Sequence, residues 1–365
     1  MHKKGSIKKV FPGGNTARGF YSYYDHIVGP NAERLFIIKG GPGVGKSSFM
    51  KKIGNEMIAR GYDVEFHQCS SDNDSLDGVV IPTLKIAIID GTAPHVVDPK
   101  HPGAIDEILN FGEFWNEDGI RANKSEIVKI TRKTSSLFKR AYKFFAAAKS
   151  IRDDMEVIYE EALDQGKFNQ GVRGLKKEIL NTLKDSEQQG KIRHLFGSAL
   201  SPKGLTDYYT TIVGKMERIY YIEGSYIKGI SNFIEQIVTE AIKKGLNTEV
   251  YHEALDEKNI ETVIIPKLHL AITTSEQYAH NHHKKIVFDN FMDKEILAAN
   301  TDNLKEDKAY VDNLINAGLT NIRKAKKEHD DLEKFYIPNM DFKAIDELRE
   351  KILKRIIKYS KELEG

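Results

Sequence analysis

The chain has 365 residues, 40% of them hydrophobic, and its 55 basic and 53 acidic side chains leave a formal net charge of only +2. This length suits about two domains with separate cores, and the charge balance excludes a protein-wide field that attracts nucleic acid or anionic membrane. A single cysteine, Cys69, excludes an internal disulfide. Because no apolar run is long enough for a membrane span or a signal peptide, we expect a cytoplasmic protein with no membrane partner.

The first segment along the chain is rich in turn residues. Residues 11–19 contain Pro12 and several glycines, which favour turns. The aromatic run at residues 20–24 is expected on a short helix that packs against a sheet, although stacking on a nucleotide base is an alternative.

A phosphate-binding motif, G-x-x-x-x-G-K-[ST], occupies residues 40–47. The apolar residues 35–38 before it predict a buried strand, and residues 48–60 predict a helix, which is the context in which this motif binds phosphate. Gly41, Gly43 and Gly45 have no Cβ, so the backbone can adopt positive φ and turn its N–H groups toward phosphate oxygens. The start of the following helix adds the positive end of its dipole.

The side chains at the end of this motif predict the cofactors. Lys46 is expected to reach the β- and γ-phosphates, and Ser47 is expected to ligate Mg²⁺. We therefore predict ATP and Mg²⁺ as the cofactors. The predicted nucleotide-contacting residues are Gly41, Pro42, Gly43, Val44, Gly45, Lys46, Ser47 and Ser48.

Two further strands are predicted at residues 63–68 and 85–89, and the second of them ends at Asp90. A carboxylate at this place holds the second contact to Mg²⁺, usually through water, so we assign Asp90 to the metal site with Ser47. The alternative is that Asp90 caps the following turn. Strands that alternate with helices predict an α/β fold with a parallel, doubly wound sheet, whose ligands bind at the carboxyl edge.

An acidic loop follows the second predicted strand and contains Asp72, Asp74 and Asp77. A carboxylate beside the γ-phosphate can orient the attacking water or a substrate hydroxyl. Asp is also a common turn residue, so an exposed turn without catalytic function stays open as an alternative. Together with Lys46 and Asp90, these three aspartates are the predicted catalytic residues.

The chain repeats itself at an offset of 224 − 40 = 184 residues, which pairs residues 34–40 with 218–224 without a gap. Each copy ends in a segment of helical periodicity, at about residues 124–183 and 302–364. We predict two tandem P-loop NTPase-like domains, residues 8–192 and 193–365, each with a helical extension.

The second copy lacks the groups that carry the predicted chemistry. Ile230 stands at the position of Lys46, and Thr274 stands at the position of Asp90. Tyr226 adds an aromatic ring where the phosphate would lie. We therefore expect one active nucleotide site per chain, with a degenerate, regulatory or scaffold second copy.

Several of these motifs together resemble a known family. They are residues 13–16 (GGNT), 40–47 (GGPGVGKS), 69–78 (CSSDNDSLDG) and 90–95 (DGTAPH). The chain resembles tandem-repeat P-loop proteins of firmicute bacteria, which are described as ATP-binding proteins or ATPases. The resemblance implies nucleotide and metal functions for Lys46, Ser47 and Asp90. Relatives in that family often keep an intact second P-loop, and this chain departs from that pattern.

Three functions fit the sequence. The first is an ATPase that hydrolyses Mg-ATP in the first copy. The second is a phosphotransferase, either a small-molecule or a nucleotide kinase, in which an acidic-loop carboxylate orients the substrate hydroxyl. The third is a nucleotide-dependent binding or regulatory module that signals by conformation to a small-molecule or protein partner.

Overall fold

The computed structural model describes residues 4–29 and 31–364, with side chains up to residue 362. Within this part of the chain the elements form two halves of the same layout. The first half contains β1 (Ile7–Val10), β2 (Gly13–Thr16), β3 (Gly19–Ser22), β4 (Arg34–Lys39), α1 (Lys46–Ala59), β5 (Val64–Gln68), β6 (Leu76–Ile81), β7 (Ile86–Asp90), β8 (Asp106–Asn110), α2 (Glu117–Arg121), α3 (Lys124–Ala162) and α4 (Gln165–Leu180). The second half contains β9 (Ile192–Phe196), β10 (Ser198–Ser201), β11 (Gly204–Asp207), α5 (Tyr209–Ile212), β12 (Arg218–Glu223), α6 (Ile227–Lys243), β13 (Thr248–His252), β14 (Ile260–Ile265), β15 (Leu270–Thr273), β16 (Lys284–Val287), α7 (Lys294–Ala299), α8 (Thr301–Tyr336) and α9 (Phe342–Glu364).

The first sheet has the strand order β1-β5-β6-β7-β4-β8. The α/β class is confirmed, but the prediction of a parallel sheet is wrong because β6 is antiparallel to both of its neighbours. Ser75 N donates to Asp72 O at 2.9 Å and Cys69 N donates to Ser75 O at 3.0 Å. These bonds close a tight turn that returns the chain beside β5, so part of the predicted acidic loop is strand.

The prediction of a doubly wound sheet is also wrong, because the long helices lie on one face. Phe36 and Ile38 of β4 pack in a core with side chains of α1 and α9. On the opposite face, Ile37 packs with Tyr24 and Ile27, which belong to a short 3₁₀ turn and the residue after it. The site-bearing strand β4 is thus buried on both sides by different layers.

The second sheet repeats this arrangement with the order β9-β13-β14-β15-β12-β16. Its strand β14 is antiparallel to both neighbours, as β6 is in the first sheet. Lys85 and His269, which precede β7 and β15, both have positive φ values, of 54° and 46°. Equivalent strands and an equivalent strained residue therefore occur in the two halves.

Each predicted helical extension is two helices. The chain breaks between α3 and α4 and again at residues 337–341, between α8 and α9. The long helices α3 and α8 run antiparallel, because Lys133 pairs with Glu328 at 2.7 Å while Phe145, further along α3, packs at Gly318, earlier in α8. They form a two-helix layer, and its core also contains Ala17, Leu200, Ala254 and Leu255.

The last helix of each extension packs on the other half. Phe168, Val172 and Leu175 of α4 lie in the core of the second sheet. Ile345 and Ile352 of α9 lie in the core of the first sheet, beside α1. Each core therefore contains side chains from both predicted domains.

The hairpins β2–β3 and β10–β11 also contact the opposite half of the protein. Ala17, between β2 and β3, donates its N–H to Leu255 O at 2.8 Å in the second half. Ser201 of β10 accepts a hydrogen bond from Asn73 Nδ2 at 3.0 Å in the first half. The predicted short helix at residues 20–24 is wrong, since Gly19–Ser22 form β3 and only Tyr24–His26 form a 3₁₀ turn. Pairing with β2 overrides any local helical preference there.

A buried ion network joins the two sheets. Arg193 Nη2 lies 2.7 Å from Glu65 Oε2, and Lys8 Nζ lies 3.2 Å from Glu65 Oε1 and 2.6 Å from Glu249 Oε2. Burial by itself raises the pKa of Glu65, but the charges of Arg193 and Lys8 outweigh burial and hold this pKa well below its usual range. The network fixes β1 and β5 of one sheet against β9 and β13 of the other.

Candidate functional site

The predicted phosphate loop joins the end of β4 to the start of α1. Gly43 and Gly45 have φ values of 68° and 89°, in the left-handed region that L side chains rarely adopt. Gly41 has a different reason to be glycine, since a Cβ there would lie 2.7 Å from Cε1 of Tyr336. The loop therefore has the curled backbone that the motif predicts, and it is in contact with another part of the chain.

Lys46 lies folded back onto this loop. Its Nζ donates to the carbonyl oxygens of Gly40 at 3.0 Å and Gly41 at 2.9 Å. The same atom lies 3.3 Å from Asp90 Oδ2, and both side chains are only about one-seventh exposed. The structure thus brings together the two charged residues that the sequence assigns to phosphate and metal.

Asp90 ends β7 at the carboxyl edge of the sheet, and its two oxygens have different partners. Oδ1 accepts hydrogen bonds from the backbone N–H of Thr92, at 2.9 Å, and from the Thr92 hydroxyl. Oδ2 faces Lys46. The turn-capping alternative and the metal-site prediction are therefore compatible, because one oxygen caps the turn while the other faces the phosphate loop.

The remaining predicted contacts of the loop differ in exposure. Ser47 Oγ accepts a hydrogen bond from the N–H of Leu76 at 3.0 Å, which ties the predicted Mg²⁺ ligand to the start of β6. Ser48 is exposed on the first turn of α1, and Pro42 is half-buried. The Val44 side chain is buried in the core, so any contact of Val44 with nucleotide is made by its backbone.

The three aspartates of the predicted acidic loop lie in different surroundings. Asp72 accepts hydrogen bonds from Asp74 N at 3.2 Å and from Ser75 Oγ at 2.8 Å, so it holds the turn together. Asp74 is exposed and pairs with Lys203 of the second half at 3.0 Å. For Asp74, the exposed-turn alternative describes the structure better than a position beside phosphate.

Asp77 lies inside the protein, on β6. It is 3% exposed, and its Oδ1 is 3.9 Å from Nε2 of His95. Burial raises the pKa of this carboxyl, and the nearby charge of Asp90 acts in the same direction. Among the described residues, its Oδ2 has no hydrogen-bond partner. Asp77 is thus a desolvated carboxyl close to Asp90, the predicted metal ligand.

Helix α8 and the start of α9 contribute residues that the sequence reasoning did not assign to the site. Tyr336 lies against Gly41, and Cβ of Glu333 lies 3.0 Å from the position of a Cβ at Gly43. The one available signal was a second likeness between the copies, in which residues 330–336 resemble residues 153–159 at an offset of 333 − 156 = 177 and so pair Glu333 with Glu156 and Tyr336 with Tyr159. That match indicated a shared structure and did not indicate a position at the phosphate loop.

The corresponding loop of the second half has a different backbone. Helix α6 begins at Ile227, three residues earlier than the offset from α1 requires, and replaces the curled segment with helical turns. Tyr226 and Ile230 are 2% and 3% exposed within the core. The space that a phosphate would use is filled by the chain's own side chains.

Comparison with known proteins gives one family. No curated protein and no solved structure matches the chain. The model of the KAP family P-loop domain matches residues 20–354, from β3 to α9, and so covers both halves. Among the described residues, no helix combines the length and apolar character that crossing a bilayer requires. The match confirms the P-loop part of the resemblance and does not test its firmicute, tandem-repeat part. With the curled glycine loop, Lys46 and Asp90 in place, the chain belongs to the KAP family of P-loop domains.

Proposed function

We propose that this protein is a Mg-ATP-dependent ATPase with one nucleotide site, in its first half. The observation that supports it best is the pairing of Lys46 with Asp90 at 3.3 Å beside a loop whose Gly43 and Gly45 have positive φ. An arriving γ-phosphate gives Lys46 a stronger partner than the loop carbonyls, because a charged acceptor binds an ammonium better than a neutral one. Lys46 then leaves Gly40 and Gly41 for the phosphate.

The other roles follow from position. Residues 41–48 bind the phosphates, and Ser47 with Asp90 holds Mg²⁺, which neutralises the charge that develops during phosphoryl transfer. Thr92 fixes one oxygen of Asp90 and leaves the other available. Of the three candidate catalytic aspartates, Asp77 is favoured to orient the attacking water, because it is desolvated and near Asp90.

The second half is proposed to be a scaffold or regulator derived by tandem duplication, with domains at residues 8–192 and 193–365. The matching strand orders and the filled loop at Tyr226 and Ile230 support this. The balanced composition and single cysteine are the reasons to expect this activity in the cytoplasm.

A second candidate is a nucleotide-dependent regulatory module. It is favoured by the contact of Tyr336, from the second half, with the phosphate loop of the first half. Nucleotide binding in such a module changes the arrangement of the halves, and a protein or small-molecule partner responds to that arrangement.

The test is to incubate the purified chain with ATP and Mg²⁺ and to measure phosphate release, together with phosphate transfer to a panel of hydroxyl-bearing metabolites and nucleotides. An ATPase releases phosphate without an acceptor, and Lys46→Ala abolishes the release. Lys228→Ala, in the first turn of α6 in the second half, is the matched control and keeps the activity of the parent chain. Transfer to an acceptor without free release identifies a kinase. Tight binding with neither reaction supports the regulatory module.

A further inference from the structure

The corner between α8 and α9, residues 333–342, covers the phosphate loop of the first half. Tyr336 contacts Gly41. Cβ of Glu333 and Cγ1 of Ile337 lie 3.0 and 3.1 Å from the position that a Cβ would occupy at Gly43. The ring of Phe342 lies 3.4 Å from the corresponding position at Gly45. Three of the four motif glycines, Gly41, Gly43 and Gly45, therefore touch a segment that lies about 300 residues away along the chain.

This corner is held in place by charge on both sides. Lys326, on α8, lies 3.5 Å from Asp72 in the turn before β6. Burial lowers the pKa of Lys326, but its hydrogen bond to Asp330 and the charge of Asp72 outweigh burial and raise it. On α9, Arg355 donates two hydrogen bonds, of 2.6 and 2.7 Å, to Glu107 of β8. The corner is thus fixed to strands on either side of the phosphate loop.

The second half contains the same arrangement without the nucleotide residues. Lys149 of α3 pairs with Asp153 at 2.6 Å and with Asp256 at 3.2 Å, as Lys326 pairs with Asp330 and Asp72. The long helices therefore place a lysine at the same turn in each half. This equivalence supplies a matched control residue for Lys326.

The two tyrosines at the ends of these helices differ in what they meet. Tyr159 stacks on Tyr226, with ring centroids 5.7 Å apart. Tyr336 lies against the backbone of Gly41, whose carbonyl oxygen also accepts from Lys46. In the second half the helix tyrosine stacks on an aromatic side chain of the equivalent segment, whereas in the first half Tyr336 lies against a glycine of the phosphate loop. A move of Lys46 from Gly41 to phosphate therefore removes a hydrogen bond from the part of the loop that Tyr336 covers.

We propose that the nucleotide site is composite: Tyr336, from the second half, contacts the bound nucleotide, and Lys326 holds the turn at Asp72 that leads into β6 and so positions Asp77. This proposal rests on the proposed nucleotide site in the first half. It gives the second half a direct function in nucleotide binding, since the α8–α9 corner forms one wall of the site.

The chain contains its own reporter of this corner. Trp115 is the single tryptophan, and its ring centroid lies 6.5 Å from that of Tyr336. It also pairs with Met340 through a backbone bridge, and Asn116 N donates to Asn339 O at 2.8 Å. A rearrangement of the corner changes the surroundings of this indole.

The experiment titrates the full chain with Mg²⁺ and a non-hydrolysable ATP analogue, and follows tryptophan fluorescence and binding heat in parallel. We expect a saturable change in tryptophan fluorescence whose midpoint concentration of analogue equals that of the binding heat. Tyr336→Ala is expected to weaken binding by about ten-fold or more, an effect typical of a lost aromatic contact in a site, while Tyr159→Ala stays within about two-fold of the parent. Lys46→Ala removes both signals.

Lys326→Met tests the positioning function separately, since methionine keeps the apolar stem of lysine. Turnover is expected to fall by about ten-fold with the dissociation constant nearly unchanged, and Lys149→Met is expected to keep the parent turnover. A thermal melt of each variant reports loss of folding. The composite site is overturned if the parent chain gives binding heat without a fluorescence change, Tyr336→Ala keeps the parent affinity and Lys326→Met keeps the parent turnover. That outcome leaves the proposed function standing. No binding heat in the parent chain overturns both.

Discussion

Lys46 Nζ and Asp90 Oδ2 lie 3.3 Å apart at the carboxyl edge of the first sheet, and the pair is mostly shielded from solvent. Each charge therefore lowers the cost of burying the other. The first two predictions depend on this pair.

Lys46→Ala is expected to abolish ATP binding, because it removes the cation for the β- and γ-phosphates. Isothermal calorimetry of the parent chain is expected to give one nucleotide per chain. Ile230→Val, at the equivalent position of the second half, is the control and keeps both affinity and stoichiometry, although it costs about 1 kcal/mol of stability from lost core packing. A stoichiometry of two would disprove the single-site assignment.

Asp90→Asn is expected to lower turnover by about 100-fold or more while changing ATP affinity by only a few-fold. Its amide oxygen can still accept from Thr92, so the turn is kept, but the charge that holds Mg²⁺ in the transition state is lost. Phosphate release and calorimetry on the same preparation measure the two effects. Equal losses of turnover and affinity would indicate a structural Asp90.

The candidate catalytic aspartates are expected to separate into two classes. Asp77→Asn is predicted to lower turnover by about ten-fold or more with binding intact, whereas Asp74→Asn, whose side chain is exposed and paired with Lys203, keeps the parent rate. Glu261→Gln is the matched control for Asp77→Asn, because Glu261 has the position in β14 that Asp77 has in β6. If Asp77→Asn turns over like the parent chain, Asp72 or the corner of α8 is the better source of a catalytic carboxylate.

Glu261 also predicts how stability depends on pH. Burial raises its pKa from 4.5 to about 7, against the hydrogen bonds that Tyr209 and Ser198 donate to it. The folded state therefore binds the proton more tightly than the unfolded state. Its contribution to stability is present below pH 4.5 and is lost as pH rises to about 7, by up to about 3 kcal/mol.

Denaturant unfolding of the parent and Glu261→Gln at pH 5 and pH 8 measures this effect. The difference in unfolding free energy between the variant and the parent is expected to be larger at pH 8, where glutamine avoids the buried charge. The same difference at both pH values would show that Glu261 titrates normally in the folded protein.

Arg193→Met is expected to lower the free energy of unfolding by about 3–5 kcal/mol, because it leaves Glu65 buried with only Lys8 as its cation. Lys52→Met removes an ion pair with Asp346 that is about half exposed, and is expected to cost less than about 1 kcal/mol. Denaturant midpoints of the two variants compare the pairs directly. Equal costs would mean that the Arg193 network is not a main support of the junction between the sheets.

The sequence by itself determined the phosphate loop. Its conformation depends on contiguous residues: a short apolar strand, glycines at Gly43 and Gly45 that adopt positive φ, and a helix that begins at Lys46. The repeat at a fixed offset likewise required no tertiary information, and equivalent strands occur in both halves. The position of Asp90 at the end of its strand was also predicted, because the change from apolar residues to an aspartate marks the end of a buried strand.

The tertiary structure decided the direction of β6 and the partners of the long helices. Asp77 and Gly78 have the composition of a turn, and only the pairing of Gly78 with β5 and β7 makes this segment part of a strand, with Asp77 at a bulge beside β5. The apolar face of α9 shows that the helix is buried but does not specify the sheet that buries it. That choice depends on contacts such as Phe342 with Gly45, between segments far apart in the chain, which no local pattern of residues encodes.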